Sequence, residues 1–278
     1  MRNLDRHLCA LGPIAPAPLD TARARWNGIR AAYGLADHAH YLSEPEYNAK
    51  LAHTAHDTDV WVTSLALAPA GQSEVANTCT YSTAACRLAC VGTTGRGGMA
   101  FVQRVRAART LFLSLYPADA VALIIADIGR HHARYGTRLR VRLNAFSDIR
   151  WERAAPAIFD TYPTIPFYDY TKWSARRRPD AQLPTNYRLT RSASERTTTA
   201  AILDHVDHGR TVAVVFASRK GEPLPATWHG RPVIDGDATD DRSADPAGVI
   251  VGLRVKGQHA QDAITSGFAR PTVTGGRP

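Results

Sequence analysis

The sequence predicts an α/β fold, a partial (β/α)6 barrel-like single main domain with an N-terminal extension. Three observations predict it. Apolar runs of strand length recur near 60–67, 139–143, 166–170, 187–190, 211–216 and 249–255. Several are separated by stretches whose apolar positions repeat at helical spacing, the pattern of parallel βα units. Polar residues gather just after each strand, at the edge that carries ligand sites in barrels and open α/β sheets. A doubly wound sheet is the alternative architecture that this pattern admits.

In chain order, residues 1–57 read as a peripheral extension. Pro13, Pro16 and Pro18 favour extended backbone, Thr21 to Tyr33 fits one short helix, and Cys9 lies in this segment. The main domain is expected over 58–278. After its first strand and a cysteine-bearing loop, Phe101, Val105, Ala108, Phe112 and Leu115 share one helical face, with Arg104, Arg106 and Arg109 mostly off it. Pro117 ends that helix, and Asp119 is the expected N-cap of the next, which buries Val121, Ile124, Ile125 and Ile128 and stops at Gly136. Further helices are expected over 151–162 and 194–208. An excursion at about 219–247, rich in Gly, Pro and Asp, precedes the last strand.

The 278 residues are 44% hydrophobic and 21% charged, enough to bury a sizeable core. Lys and Arg number 34 against 25 Asp and Glu, giving +9 and a pI near 9.7. Such an excess serves either solubility or a polyanionic partner, through displacement of counterions from phosphates. No apolar run reaches the roughly 20 residues of a bilayer-spanning helix, and the N-terminus lacks the apolar core of a signal peptide. No membrane role is expected. Four cysteines, three of them clustered, fit thiolate ligands in a reducing cytoplasm better than a secreted disulfide framework.

Those three, Cys79, Cys86 and Cys90, occupy one small-residue loop between the first strand and the helix at Phe101, with spacing C-x6-C-x3-C. Cys86 and Cys90 are one helical turn apart, which would aim both thiols the same way. Three thiolates with an open fourth position suit a [4Fe–4S] cluster with one free iron. They also suit zinc completed by water or by a histidine such as His131, His132, His205 or His208. Small buried hydrophobes are the bland alternative.

Other candidates follow the later strands. Asn144, Ser147 and Asp148 come after the second, Asp169 and Lys172 close the third, and Ser192, Ser194 and Glu195 follow the fourth. Parallel strands would bring them to one rim. Asp148, Asp169 and Lys172 are the catalytic candidates, as base, nucleophile or phosphate ligand. Asn144, Ser147, Ser192, Ser194 and Glu195 are the cofactor-binding ones, with helix capping as the local alternative for the serines and Asp148. Arg104, Arg106, Arg109, Arg176, Arg177 and Arg178 are candidate nucleic-acid contacts. Asp235, Asp237, Asp240, Asp241 and Asp245 would bind a hard cation or serve turns.

A three-cysteine loop after the first strand of six βα units resembles radical S-adenosylmethionine enzymes in architecture. That resemblance implies a cluster, a reductant protein and S-adenosylmethionine, although the cysteine spacing is wider than the superfamily's C-x3-C-x2-C. The segments SDIRWE (147–152), FYDYTK (167–172), VIDGD (233–237) and VGLRVKG (251–257) resemble a widespread phage and plasmid family labelled gene-product-88-like or replication-associated. This second likeness runs from about Trp26 to Phe268 and implies a mobile-element setting with a nucleic acid or nucleotide as substrate. The leading expectation is therefore an iron–sulfur enzyme modifying a nucleic acid base or nucleotide. The alternatives are a zinc-stabilised DNA-binding replication protein and a barrel transglycosylase that exchanges a nucleobase with two aspartates.

Overall fold

The computed structural model describes residues 1–36, 40–47 and 49–272. Its strands are β1 (Arg2–Asn3), β2 (Trp61–Ser64), β3 (Ala76–Asn77), β4 (Leu139–Arg142), β5 (Phe167–Thr171), β6 (Tyr187–Ser192), β7 (Val212–Phe216), β8 (Thr227–Trp228), β9 (Arg231–Asp235) and β10 (Ile250–Arg254). Eight of them form one sheet in the order β2-β4-β5-β6-β7-β10-β9-β8. Every neighbouring pair in it is parallel except the terminal β8–β9 pair. The protein is thus a mixed α/β fold on a mostly parallel sheet. The six strands expected from the sequence are β2, β4, β5, β6, β7 and β10, and they lie side by side in chain order.

Alternation along the strands gives the sheet two chemically different faces. Leu139 and Val141 of β4, Phe167 of β5 and Leu189 of β6 enter the main apolar core. The helices Leu19–Ala32, Ala100–Leu115 and Pro117–Tyr135 complete that core with residues such as Trp26, Phe112 and Ile124. Trp26, Phe112 and Tyr41 form an aromatic cluster within it, with centroids 5.2–5.5 Å apart. Alternate positions carry Arg140, Arg142, Tyr168 and Arg188, and the segment 240–243 lies across them. Arg142 pairs with Asp240 at 3.1 Å, Arg140 with Asp241 at 3.7 Å, and Arg188 donates to the Ser243 carbonyl at 3.2 Å.

The excursion therefore includes the β8–β9 hairpin and a cover for the sheet. Asp235 and Asp241 do serve turns, accepting from the Asp237 and Ser243 amides at 2.9 and 2.8 Å, and among the described residues its five aspartates form no cation site. Besides the pairs of Asp240 and Asp241, Asp235 and Asp237 pair with Arg254, Asp237 also with Lys256, and Asp245 with Arg242.

Several local expectations are corrected. In the helix Ala100–Leu115, Phe101 and Leu115 are 53% and 54% exposed, whereas Arg106 and Arg109 are buried. Helical periodicity ranks arginine as polar, yet backbone carbonyls can replace its water. Arg106 donates to the Gly92 and Gly97 carbonyls and stacks on Phe146, and Arg109 donates to the His40 carbonyl. Asp119 is not an N-cap. The helix starts at Pro117, whose missing N–H costs nothing in the first turn, and Asp119 is buried against Arg25 at 2.9 Å. The expected helix over 151–162 is two short ones, Trp151–Ala154 and Ala157–Thr161, because Pro156 between them cannot donate a helical hydrogen bond. The helix expected over 194–208 starts later, at Thr199, where the Thr198 hydroxyl accepts from the Ala201 amide.

The N-terminal segment is not peripheral. Its β1 pairs in parallel with β3. Leu4 and Leu8, on the following helix Leu4–Ala10, are completely buried in the main core, and Asp5 forks onto Arg150 with a shortest contact of 2.8 Å. Short length and nearby prolines hid a helix that tertiary contacts support. Leu8→Ala should lower unfolding free energy by about 2–5 kcal/mol. A urea titration showing a change near zero would detach this helix from the core.

Candidate metal centre and strand-end site

The loop 65–98 leaves the end of β2 and carries all three clustered thiols. Cys79 follows β3, and its amide is fixed by the Asn77 side chain at 2.9 Å. Cys86 lies in the helix Ala84–Leu88, where Thr83 is the N-cap and its hydroxyl accepts from the Cys86 amide at 3.2 Å. That helix ends before Cys90, which has extended backbone and leads into the turn Val91–Thr93. One continuous helical turn from Cys86 to Cys90 is therefore not formed.

All three cysteines are free and partly buried. Their thiols are near enough to feel one another's charge, Cys90 sensing Cys86 and Cys79 sensing Cys90. Burial pushes the Cys79 thiol up to about 12, against the pull of the Ala70 amide. Burial also raises Cys90, opposed by the Gly92 amide and the charges of Arg106 and Lys172. Burial thus disfavours the thiolate at both. Cys79 Sγ donates to the Phe146 carbonyl at 3.2 Å. Among the described residues no three His, Cys, Asp or Glu side chains stand in a ligating arrangement. The donor set fits a thiophilic metal in kind, though not in the arrangement of the described side chains.

The rim candidates divide into two groups. One group faces the thiols. Lys172 Nζ, whose charge Cys90 senses, donates to Ser192 Oγ at 2.8 Å and to the Ala193 carbonyl at 3.4 Å. Glu195 accepts from Thr83 Oγ1 at 2.7 Å, which links the residues after β6 to the cysteine loop. The other group lies beneath and holds the rim in place. Asn144 donates to Asp169 from its backbone (2.7 Å) and side chain (3.1 Å), and its Oδ1 accepts from Ser147 Oγ at 2.8 Å. Tyr187 donates to Asp169 at 2.8 Å. Asp148 accepts from Thr171 Oγ1 and the Lys172 amide, each at 2.8 Å, and pairs with Arg178. Ser194 Oγ accepts from the Arg196 amide at 3.2 Å, a local turn bond. Asp148, Asp169, Asn144, Ser147 and Ser194 are thus taken up by internal partners.

The arginine candidates divide as well. Arg178 is fully buried between Glu152 (2.7 Å) and Asp148 (3.4 Å). Arg106 and Arg109 are buried on backbone carbonyls, and Arg104, Arg176 and Arg177 are not buried. Arg177 lies over the Tyr81 ring at 5.5 Å. His131 is buried against Arg130 and Glu44, and desolvation lowers it to about 4, so it stays neutral there. Thr83, Phe146 and Arg270 were not legible as site residues. Thr83 matches an N-cap pattern before Ala84, but its bond to Glu195 spans 112 positions in sequence. Arg270 donates to the Ser194 and Thr197 carbonyls from near the end of the chain.

A thiol-bearing loop over the C-terminal ends of parallel strands defines an α/β protein with a strand-end site. Residues 41–271 match the family described as gene product 88, and the chain belongs to that family. No curated protein and no solved structure matches the chain, so the likeness to radical S-adenosylmethionine enzymes has no support from either comparison.

Arg178→Met should cost about 3–5 kcal/mol, because it leaves Asp148 and Glu152 buried without their shared cation; Arg176→Met should be nearly neutral in the same denaturation experiment. Asp169 gives a signed pH effect. Desolvation raises it to about 6, against the hydroxyl of Tyr187. Between its unfolded value near 3.9 and that folded value, only the folded state retains the proton, so stability should fall as pH rises, by at most about 1.4 kcal/mol per unit. Asp169→Asn removes this titration, so the stability gap between the parent and this variant should narrow from pH 4 to 6.5 (~2.5 units). A gap that widens would reverse the assignment.

Proposed function

We propose that this protein is an iron–sulfur enzyme of a mobile genetic element that modifies a nucleobase or nucleotide-like substrate at the C-terminal edge of its sheet. The observation that supports it is that Cys90 lies within electrostatic reach of Cys86 and Lys172, that Lys172 donates to Ser192, and that Glu195 accepts from Thr83 of the cysteine loop. The parallel strands β2 to β10, in chain order and without reversal among the first six, support a partial (β/α)6 barrel over a doubly wound sheet. Barrel sites sit at this edge.

Cys79, Cys86 and Cys90 would hold the cluster, which supplies an open iron for substrate or for electron transfer. Arg106 and Lys172 favour negative charge at Cys90. Lys172, held by Ser192, presents a cation to a phosphate or an oxyanion. Glu195 is the rim carboxylate that its hydrogen bond joins to the cysteine loop. The two-aspartate exchange reaction is disfavoured, because Asp148 and Asp169 are both engaged by internal donors. A thiolate centre of this kind belongs in a reducing compartment such as the cytoplasm, with a reductant protein as partner. No described helix is long and apolar enough to cross a membrane.

Purification without oxygen tests the reading. Brown protein with about four irons per chain is expected, and Cys79→Ala, Cys86→Ala or Cys90→Ala should bleach it, while Cys9→Ala should not. Colourless protein with one zinc per chain would replace the cluster by a structural zinc site.

A further inference from the structure

The seven large apolar side chains that stand exposed among the described residues are Met1, Leu11, Leu88, Val91, Met99, Phe101 and Leu115. Four of these, Leu88, Val91, Met99 and Phe101, fall within the span 88–101. Apolar residues this concentrated on a surface mark an interaction site more often than scattered ones do. The same stretch has an unusual charge pattern. No Asp or Glu occurs between Glu74 and Asp119, while Arg87, Arg96, Arg104, Arg106 and Arg109 do.

Two of those arginines are structural, and Arg106 shapes the surface. Its guanidinium holds the carbonyls of Gly92 and Gly97, drawing the turns Val91–Thr93 and Gly95–Gly98 onto the start of the helix Ala100–Leu115. Gln103 adds a bond to the Gly98 carbonyl at 3.3 Å. Val91, Arg96, Met99, Phe101 and Arg104 are exposed side chains of these three braced segments, the first of which follows Cys90 directly. Gly97 and Gly98 are required for this packing, since a Cβ would lie 2.7 Å from Gly92 O at the first and 2.9 Å from Thr93 O at the second.

Arg87, Arg96 and Arg104 are exposed, and none of them forms an ion pair among the described residues. Elsewhere exposed or half-exposed arginines do find carboxylates, as in Arg130–Glu44, Arg138–Asp59 and Arg231–Asp207. A cationic surface with no internal anion, interleaved with an aromatic ring and flexible apolar side chains, complements a chain of phosphates that carries flat apolar faces.

We propose that the surface formed by Val91, Arg96, Met99, Phe101 and Arg104 binds single-stranded nucleic acid, with the arginines on phosphates and Phe101 stacked on a base. An unpaired strand fits better than a duplex, whose bases have no free faces to stack. The inference deepens the nucleotide reading of the adjacent rim by extending the substrate to a polynucleotide strand. It does not depend on which metal the cysteines hold.

Fluorescence anisotropy with a short fluorescein-labelled oligothymidylate, alone and paired with its complement, tests it on the full chain. The single strand should bind more tightly than the duplex, with log affinity falling linearly against log salt. Phe101→Ala should weaken binding on the order of tenfold. Arg96→Gln with Arg104→Gln should reduce the salt slope by about 0.7 for each phosphate that is no longer neutralised. Leu115→Ala, exposed at the other end of the same helix, should change nothing. Thermal melts of each variant guard against misfolding, and all four residues changed are exposed. Affinity indifferent to both Phe101 and the arginine pair would overturn the proposal. So would polyglutamate competing as well as the oligonucleotide, which would make the partner an acidic protein. Self-association by light scattering that Phe101→Ala abolishes would instead assign the patch to a second copy of the chain. Metal is assayed on the same preparation, so colourless protein that still binds the strand leaves this inference standing while the cluster reading falls.

Discussion

The buried guanidinium of Arg178 is the interaction on which the strand-end architecture depends. It is shared by Glu152 at 2.7 Å and Asp148 at 3.4 Å, and it also donates to the Tyr187 hydroxyl at 2.9 Å. Asp148 then accepts from Thr171 and Lys172 after β5, and its own amide donates to Thr78 beside Cys79. One aspartate thus joins the cysteine loop, the turn after β4 and the end of β5. Charges this deep stabilise only when every partner is present, since desolvation otherwise exceeds the attraction. This network's main consequence is position: Lys172 emerges from a backbone held by Asp148, with its amine free to reach Ser192.

A second constraint is that β4 is apolar on one face and cationic on the other. Leu139 and Val141 alternate with Arg140 and Arg142, so burying β4 on both faces requires acids on the second side. The excursion supplies them as Asp240 and Asp241. Burial works against the charge of Arg142, and Asp240 outweighs it, holding the guanidinium above its ordinary value. In the folded chain Asp240 and Asp241 are counterions to strand arginines, and Asp241 also accepts from the Ser243 amide in a turn. Much of the chain's arginine is therefore absorbed internally, and its excess of +9 overstates the charge available to a partner.

The cysteine loop combines candidate soft ligands with surroundings that disfavour the thiolate at Cys79 and Cys90. Cys79 and Cys90 are desolvated, and neutral thiols bind metals only as they lose protons. Arg106 and Lys172 supply positive charge at Cys90. Arg106 braces the turns that follow Cys90, and the described side chains form no coordination shell.

Local rules carried much of this protein. Period-two and period-3.6 patterns located the six strands and the long helices, because hydrophobic burial at short range is written directly into spacing. The C-x6-C-x3-C loop and the polar residues after each strand marked the rim for the same reason. Their division into rim and support was not legible. Asp169 and Lys172 are three positions apart, yet one binds Asn144 and Tyr187 within the core while the other reaches Ser192. The inward course of Arg106, Arg109 and Arg178, the capture of Leu4 and Leu8 by the core, and the use of the excursion as a cover were likewise settled only in the tertiary structure. Sequence spacing assigns a residue to a strand or a helix face. Whether a polar group there meets solvent, a carbonyl or a counterion depends on chain segments that are distant in sequence.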